Sequence, residues 1–301
     1  MMKNNSFHKT VQVTCPAKTN ITLHVGEKHE EWNNRHELDT IYCGIGVCDI
    51  VTISEKDANS DFSLELTGSH LGNLASSNVD MRNNHAVAAL YAMAKASNHK
   101  PNVRIQIEKH IPVAAGLGGG SADAAGTILA LNELWNLHWD ITHLQEIAAT
   151  LGADMPFCLT GGYAHGTGYG EKIEEISYDS VQAQELREQG YYGLALVGAY
   201  HTELSTADIY HQFDKFGSNS HNTNDLQEAA IMHNPRSGKA IELAKEMGAS
   251  QAFISGSGPS VIAFARTQQE LSNIQHAWTQ EQAVDRIIAA TTPMKPTIRL
   301  I

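Results

Sequence analysis

The chain has 301 residues, 42% of them hydrophobic and 18% charged, which is enough apolar material for a packed core and, at about 150 residues per domain, for two domains. Its 21 Lys and Arg against 33 Asp and Glu leave a formal charge of −12, which argues against a general field that would hold a nucleic-acid backbone or an anionic membrane. No apolar run approaches the ~18 residues of a membrane span, and Met1–Lys18 lacks the apolar stretch of a secretory leader.

In chain order, Val11–Cys15 and Ile21–Val25 read as strands around a tight connection, Pro16-Ala17-Lys18-Thr19-Asn20. Val47–Ser54 and Phe62–Leu66 read as further strands, and the Ala-rich stretch Asn84–Ala96 as a helix. Val103–Glu108 alternates with period two and predicts a half-buried strand. A glycine-rich loop follows, then helices over Ala122–Trp135 and Ile141–Leu151. The five glycines between Gly161 and Gly170 predict a domain junction, dividing the chain into 1–165 and 166–301. Beyond a polar segment, Tyr178–Gly190, come a strand at Tyr192–Val197 and a helix capped at Ser205-Thr206 and running to about Phe213. Gly217–Asn224 reads as a surface loop, and Asp225–His233 and Gly238–Met247 as helices. Ala252–Ile254 and Val261–Ala265 read as strands, Leu271–Glu281 as a helix and Thr297–Ile301 as extended. The pattern is α+β, too irregular for a barrel of βα repeats. Cys15, Cys43, Cys48 and Cys158 form no CxxC pair and no zinc spacing, and read as reduced thiols of a cytoplasmic protein. His29-Glu30 and His36 do not have HExxH spacing.

The chemistry concentrates in Ile111–Ala125, I-P-V-A-A-G-L-G-G-G-S-A-D-A-A, between a predicted strand and a predicted helix. Glycines let the backbone approach a ligand without a Cβ in the way. The first turn of the helix adds unpaired N–H groups and the positive end of its dipole. Such a site binds the phosphates of a nucleotide locally, against the chain's overall negative charge. The loop lacks the Lys of a Walker A loop and the third Gly of a dinucleotide fingerprint. Ser121 is placed either to cap the helix or to reach a phosphate or its magnesium. Asp123 either complements the helix dipole or helps hold the metal. Ser255-Gly-Ser-Gly-Pro-Ser260 reads equally as a tight hairpin and as a nest of N–H groups for a phosphate.

Taken with that loop, several segments resemble the GHMP kinase superfamily. Pro16-Ala-Lys-Thr-Asn-Ile21 resembles its P-A-K-x-N motif and His36-Glu-Leu-Asp-Thr40 its H-x-L-x-T segment. Leu151-Gly-Ala-Asp-Met-Pro-Phe157 resembles L-G-A-D-V-P-F, and Gly166-Thr-Gly-Tyr-Gly-Glu171 resembles G-T-G-x-G-E. Asn224-Asp-Leu226 and Ser255–Ser260 resemble the C-terminal N-D-L and S-G-[ST]-G motifs. The triple glycine with S-x-D-A-A resembles most nearly the branch that phosphorylates 4-diphosphocytidyl-2-C-methyl-D-erythritol, in the non-mevalonate route to isoprenoid precursors.

The resemblance implies a two-domain GHMP kinase fold, with a ribosomal-protein-S5-like N-terminal domain and a ferredoxin-like C-terminal one. It implies ATP-dependent phosphorylation, with Mg²⁺, of the erythritol 2-hydroxyl of a cytidine-diphosphate-linked small molecule. By motif match Asp154 is the base and Lys18 its partner, and Asn20, His36 and Asp154 line the substrate pocket. ATP falls to Pro112, Val113, Ala114, Ala115, Gly116, Leu117, Gly118, Gly119, Gly120, Ser121 and Ala122. The metal ligands are not fixed, with Ser121 and Asp123 as candidates. The family's cytosine stacks near the His of a G-Y-H segment, where this chain has Asn34-Arg35-His36. Arg35 is expected to take the place of that Tyr, by stacking on the base or pairing with the diphosphate. The rival readings are a kinase of homoserine or mevalonate, and a nucleotide-binding homologue without turnover.

Overall fold

A computed structural model describes residues 9–57, 59–69, 84–219 and 221–301. Residues 1–8 of the N-terminal segment and Ser220 of the expected loop Gly217–Asn224 lie outside the described residues.

Residues 10–176, with one strand from the end of the chain, build a seven-stranded sheet among the described residues. β1 (Thr10–His29) and β2 (Arg35–Glu55) form a long antiparallel hairpin, closed by a 3₁₀ turn at Glu30–Trp32 and by Asn33 and Asn34 with φ of 57° and 59°. Asn tolerates this left-handed region better than most residues. The segment Pro16–Asn20 is therefore not a turn between two strands, as expected, but the middle of β1. Pro16 fits there because the pairing slips between Pro16 and Ala17, and again between Asn20 and Thr22. β3 (Ser63–Gly68) leads to α1 (His85–Ser97), capped by the Asn84 side chain on Ala86 N, and then to β4 (Val103–Lys109). β4 pairs with β2 antiparallel and with β3 parallel, which leaves β3 at an edge of the sheet.

α2 (Gly119–Leu134) lies across β1 and β2, buried along most of its length. It sits so close that a Cβ on Gly126 would stand 2.2 Å from Cys15 Sγ, so glycine is required there. α3 (Ile141–Ala149) and the short α4 (Met155–Thr160) pack beside it. β5 (Tyr163–Thr167) and β6 (Lys172–Ile176) extend the same sheet, β5 pairing with β2.

α5 (Val181–Glu188) precedes a second, antiparallel sheet of order β10-β7-β9-β8. Its strands are β7 (Gly193–Ala199), β8 (Gln251–Ile254), β9 (Val261–Ala265) and β10 (Arg286–Thr292). Between them run α6 (Thr206–Phe216), α7 (Gln227–His233), α8 (Pro235–Glu246) and α9 (Gln268–Gln280). Trp278 on α9 is fully buried and donates from Nε1 to Ala240 O of α8 at 2.8 Å. Burial of a side chain this large contributes about 1.5–3 kcal/mol or more. β11 (Thr297–Leu300) returns to the edge of the first sheet, against β1. The expected division at 165/166 falls inside β5, and by sheet membership the passage between the two layers lies between Ile176 and Gly193.

The two halves are joined next to β1. Leu23 N donates to Thr223 O at 2.7 Å and Leu23 O accepts from Asp225 N at 2.9 Å. The buried Asn224 side chain donates to Ile254 O at 2.9 Å and Gly256 O at 2.8 Å. The N-D-L segment thus fixes the β8–β9 hairpin against the first sheet, and a shared cleft opens at that seam.

Candidate active site

The cleft has a volume of 1080 Å³ and is lined by residues of both halves. One wall is the loop that leaves β4. α2 begins at Gly119 with Gly118 (φ 67°) at its N-cap and no side-chain cap bond, so the N–H groups of its first turn are left for a ligand. Pro112, Val113, Ala114, Ala115, Gly116, Gly118, Gly119, Gly120 and Ser121 all line the cleft. Leu117 and Ala122 do not: both are buried in the core. Leu117 contributes its carbonyl, which accepts from Lys18 N at 2.9 Å. Ser121 lies inside the first turn rather than capping it. Gly116 (φ 77°) has no room for a side chain, since a Cβ would stand 2.3 Å from Ser255 O. The Ser255–Ser260 segment is indeed a hairpin turn, and it brings Gly256 and Ser257 to the cleft.

Beneath the loop lies a buried charge cluster that sequence reasoning missed in part. Lys109, at the end of β4, donates to Asp123 Oδ2 at 2.6 Å and makes a short contact with Asp49 Oδ2. Asp49 Oδ1 accepts from the backbone N–H of His110 and Ile111 at 2.6 and 2.8 Å, which sets the direction in which the chain enters the loop. Burial pushes the Asp123 carboxyl above its ordinary range, against the pull of the Lys109 ammonium. Asp123 is thus mostly committed to Lys109 rather than to the helix dipole. Its Oδ1, however, is buried without a hydrogen-bond partner. Among the described residues no group of three or more His, Cys, Asp and Glu side chains is arranged to hold a metal.

At the centre of the cleft stand Lys18 and Asp154. Lys18 Nζ is 3.1 Å from Asp154 Oδ2 and donates to Asn20 Oδ1 at 3.0 Å. Asn20 in turn donates to Thr40 Oγ1 at 2.8 Å, and Thr40 to Thr22 O at 2.6 Å. Lys18 is 6% exposed, and its stem packs on the glycine loop, where a Cβ on Gly118 would meet Lys18 Cγ at 2.7 Å. Asp154 occupies the N-cap of α4, with Pro156 in the first turn, yet makes no capping bond. Its carboxylate turns to Lys18 and to the Tyr42 hydroxyl, 3.2 Å from Oδ1. Tyr42 carries no signal of its own in the sequence. The period-two rule places it on the same face of β2 as Thr40, so it is found once that strand is in register.

The far end of the cleft is built from the β1–β2 hairpin and α6. His36 Nδ1 is 2.8 Å from Gly26 O, and its ring stacks on Tyr210 with centroids 5.3 Å apart. His36 Nε2 is 3.0 Å from Asp214 Oδ1, an ion-pair distance without hydrogen-bond alignment. Asp214 also takes Lys28 Nζ at 2.5 Å. Partial burial works against its charge, but Lys28 and His36 hold the carboxyl below its ordinary range. Arg35 lies with its guanidinium 4.7 Å from the centre of the Tyr169 ring. Asn20, His36 and Asp154 all line the one cleft, together with Tyr210 and Asp214, which the sequence did not single out.

Residues 84–162 match the GHMP kinases N terminal domain, and residues 207–285 match GHMP kinases C terminal. Over 290 residues the chain is 59% identical to 4-diphosphocytidyl-2-C-methyl-D-erythritol kinase of Bifidobacterium adolescentis, covering 96% of this chain and 94% of that one. Its identity to the enzyme of the same name from Mycobacterium tuberculosis is 32% over 312 residues, covering 97% and 93%. A crystal structure of 4-(cytidine 5'-diphospho)-2C-methyl-D-erythritol kinase matches with a TM-score of 0.68 and 26% identity, covering 94% of this chain and 99% of that one. Homoserine kinase from Cytophaga hutchinsonii matches with a TM-score of 0.73 at 16% identity, covering 99% and 100%, a likeness of fold alone. The chain belongs to the GHMP kinases and, within them, to the 4-diphosphocytidyl-2-C-methyl-D-erythritol kinase family.

Proposed function

We propose that this kinase transfers the γ-phosphoryl group of ATP to the 2-hydroxyl of 4-diphosphocytidyl-2-C-methyl-D-erythritol, giving the 2-phosphate and ADP. The observation that carries the reading is the Lys18–Asp154 pair, 3.1 Å apart, in the same cleft as the uncapped start of α2. An alcohol is a poor nucleophile until its proton leaves, and a carboxylate in hydrogen-bond reach can accept it. Asp154 takes that role, its side chain 32% exposed towards the cleft. Lys18, 3.1 Å from the carboxylate, offsets negative charge on the attacking oxygen. The N–H groups at Gly119–Ser121 hold phosphate oxygens, and Gly116 and Gly118 let the chain come close.

Bound with ATP, Mg²⁺ would offset the charge of the phosphates. An ion held mainly by phosphate and water needs one or two protein oxygens. The unpartnered Asp123 Oδ1 and the Ser121 hydroxyl fit that requirement. The cleft volume of 1080 Å³ exceeds the upper part of the usual range for small-molecule sites, about 300–1,000 Å³, as two nucleotide-sized ligands require. The cytidine belongs at the His36 and Tyr210 end. Arg35, above Tyr169, supplies the wall for the base or a partner for the diphosphate. The four cysteines are free, which agrees with a reducing compartment such as the cytoplasm.

ADP release with ATP against a panel of alcohols tests the reading. Turnover is expected with the cytidine diphosphate conjugate and not with homoserine or mevalonate. Turnover with either of those alone favours the rival kinases, and none with any alcohol favours a homologue without activity.

A further inference from the structure

The structure assigns Tyr42 as a positioning residue for Asp154, holding the carboxylate for proton transfer. This rests on the reading of Asp154 as the base. Tyr42 is 1% exposed, on β2 opposite Asn20 of β1 and Ala164 of β5. Its ring stacks on Phe157 of α4, centroids 4.8 Å apart and planes at 17°. Lys18 Nζ lies 5.6 Å above the same ring. A buried ring with both neighbours packed against it can aim its hydroxyl in only a narrow range of directions.

That hydroxyl has two acceptors, Asp154 Oδ1 at 3.2 Å and Gly170 O at 3.3 Å. With Lys18 on Oδ2, the carboxylate is held at both oxygens. Two glycines, Gly166 within β5 and Gly170 after it, make room for this. A Cβ on Gly166 would stand 2.5 Å from the Tyr42 ring, and one on Gly170 (φ 105°) 2.8 Å from its hydroxyl. Burial, reinforced by the charge of Asp154, drives the Tyr42 phenol well up, so it keeps its proton as a donor. The phenol donates to Asp154 while that group is charged. Once Asp154 has accepted the substrate proton, Gly170 O remains as an acceptor for the phenol, so the protonated state leaves no buried donor unpaired.

Tyr42→Phe keeps the ring and removes the hydroxyl. A donor to the charged base lowers the pH at which activity begins. The variant is therefore expected to lose about tenfold in kcat, the equivalent of one hydrogen bond to a charged group, with both KM values within about twofold of wild type. The acid limb of its kcat–pH profile is expected to move upward, because the charged carboxylate has lost a donor. A fluorinated tyrosine at 42, a stronger donor of the same shape, moves that limb the other way. An acid limb that overlays wild type in both variants overturns the positioning role, whatever happens to stability. Asp154→Ala is measured alongside. If it retains wild-type kcat, the base reading itself fails. If it is inactive while both Tyr42 variants overlay wild type, only the role of Tyr42 falls.

Discussion

Replacing Lys18 with methionine removes one charge from the centre of the cleft while leaving the shape of the side chain nearly intact. The stem still fills the space beside Gly118, so the loop and the fold have little reason to move. What goes is the ammonium, 3.1 Å from Asp154 Oδ2 and 3.0 Å from Asn20 Oδ1. A hydrogen bond to a charged group is worth about 1.5–3 kcal/mol, and the carboxylate side is partly screened by solvent. A loss of about 3 kcal/mol in the transition state corresponds to roughly 150-fold in kcat. Because the group acts on the reacting oxygens rather than on the adenosine, the KM for ATP is expected to stay within about threefold. ADP release at saturating concentrations of both substrates measures the first quantity, and an ATP titration the second. A Lys18→Met enzyme with kcat within about threefold of wild type would refute the electrostatic role. A large rise in the KM for ATP with kcat unchanged would place Lys18 on the nucleotide instead.

Two further outcomes follow from the walls of the cleft. Gly116→Ala places a methyl 2.3 Å from Ser255 O at φ 77°, so the loop must shift, and the KM for ATP is expected to rise at least about tenfold, read in an ATP titration. Arg35→Ala removes the guanidinium above Tyr169 and is expected to raise the KM for the cytidine substrate by about three- to tenfold while leaving that for ATP in place; an unchanged cytidine-substrate KM would remove Arg35 from the pocket.

Local signals were enough where the chain is locally regular. The Ser205 cap of α6, the helix α2 and the strand β9 follow from periodicity and capping alone. β1 was misread because Pro16 looks like a break, whereas a slip in pairing lets the strand run through it. α5 hid in a polar segment, where Ser180 caps a mostly exposed helix with little apolar periodicity. β5 and β6 hid behind glycines, two of which, Gly166 and Gly170, make room for Tyr42. The site shows the same division. The glycine loop declares itself by composition, and Lys18 and Asp154 only through the resemblance. Asp49, Tyr42, Tyr210 and Asp214 depend on strand register and on α6 meeting the β1–β2 hairpin, contacts distant in sequence.

The central claim is that a phosphate-gripping loop and a proton-accepting carboxylate share one cleft, each with its own task. The most direct measurement is on Asp154→Ala, following nucleotide binding by calorimetry and phosphoryl transfer in a single turnover with the cytidine substrate. Affinity for ATP close to wild type, with transfer slowed by about 10²-fold or more, is the predicted result. Transfer at the wild-type rate, or loss of ATP binding along with it, would contradict that separation.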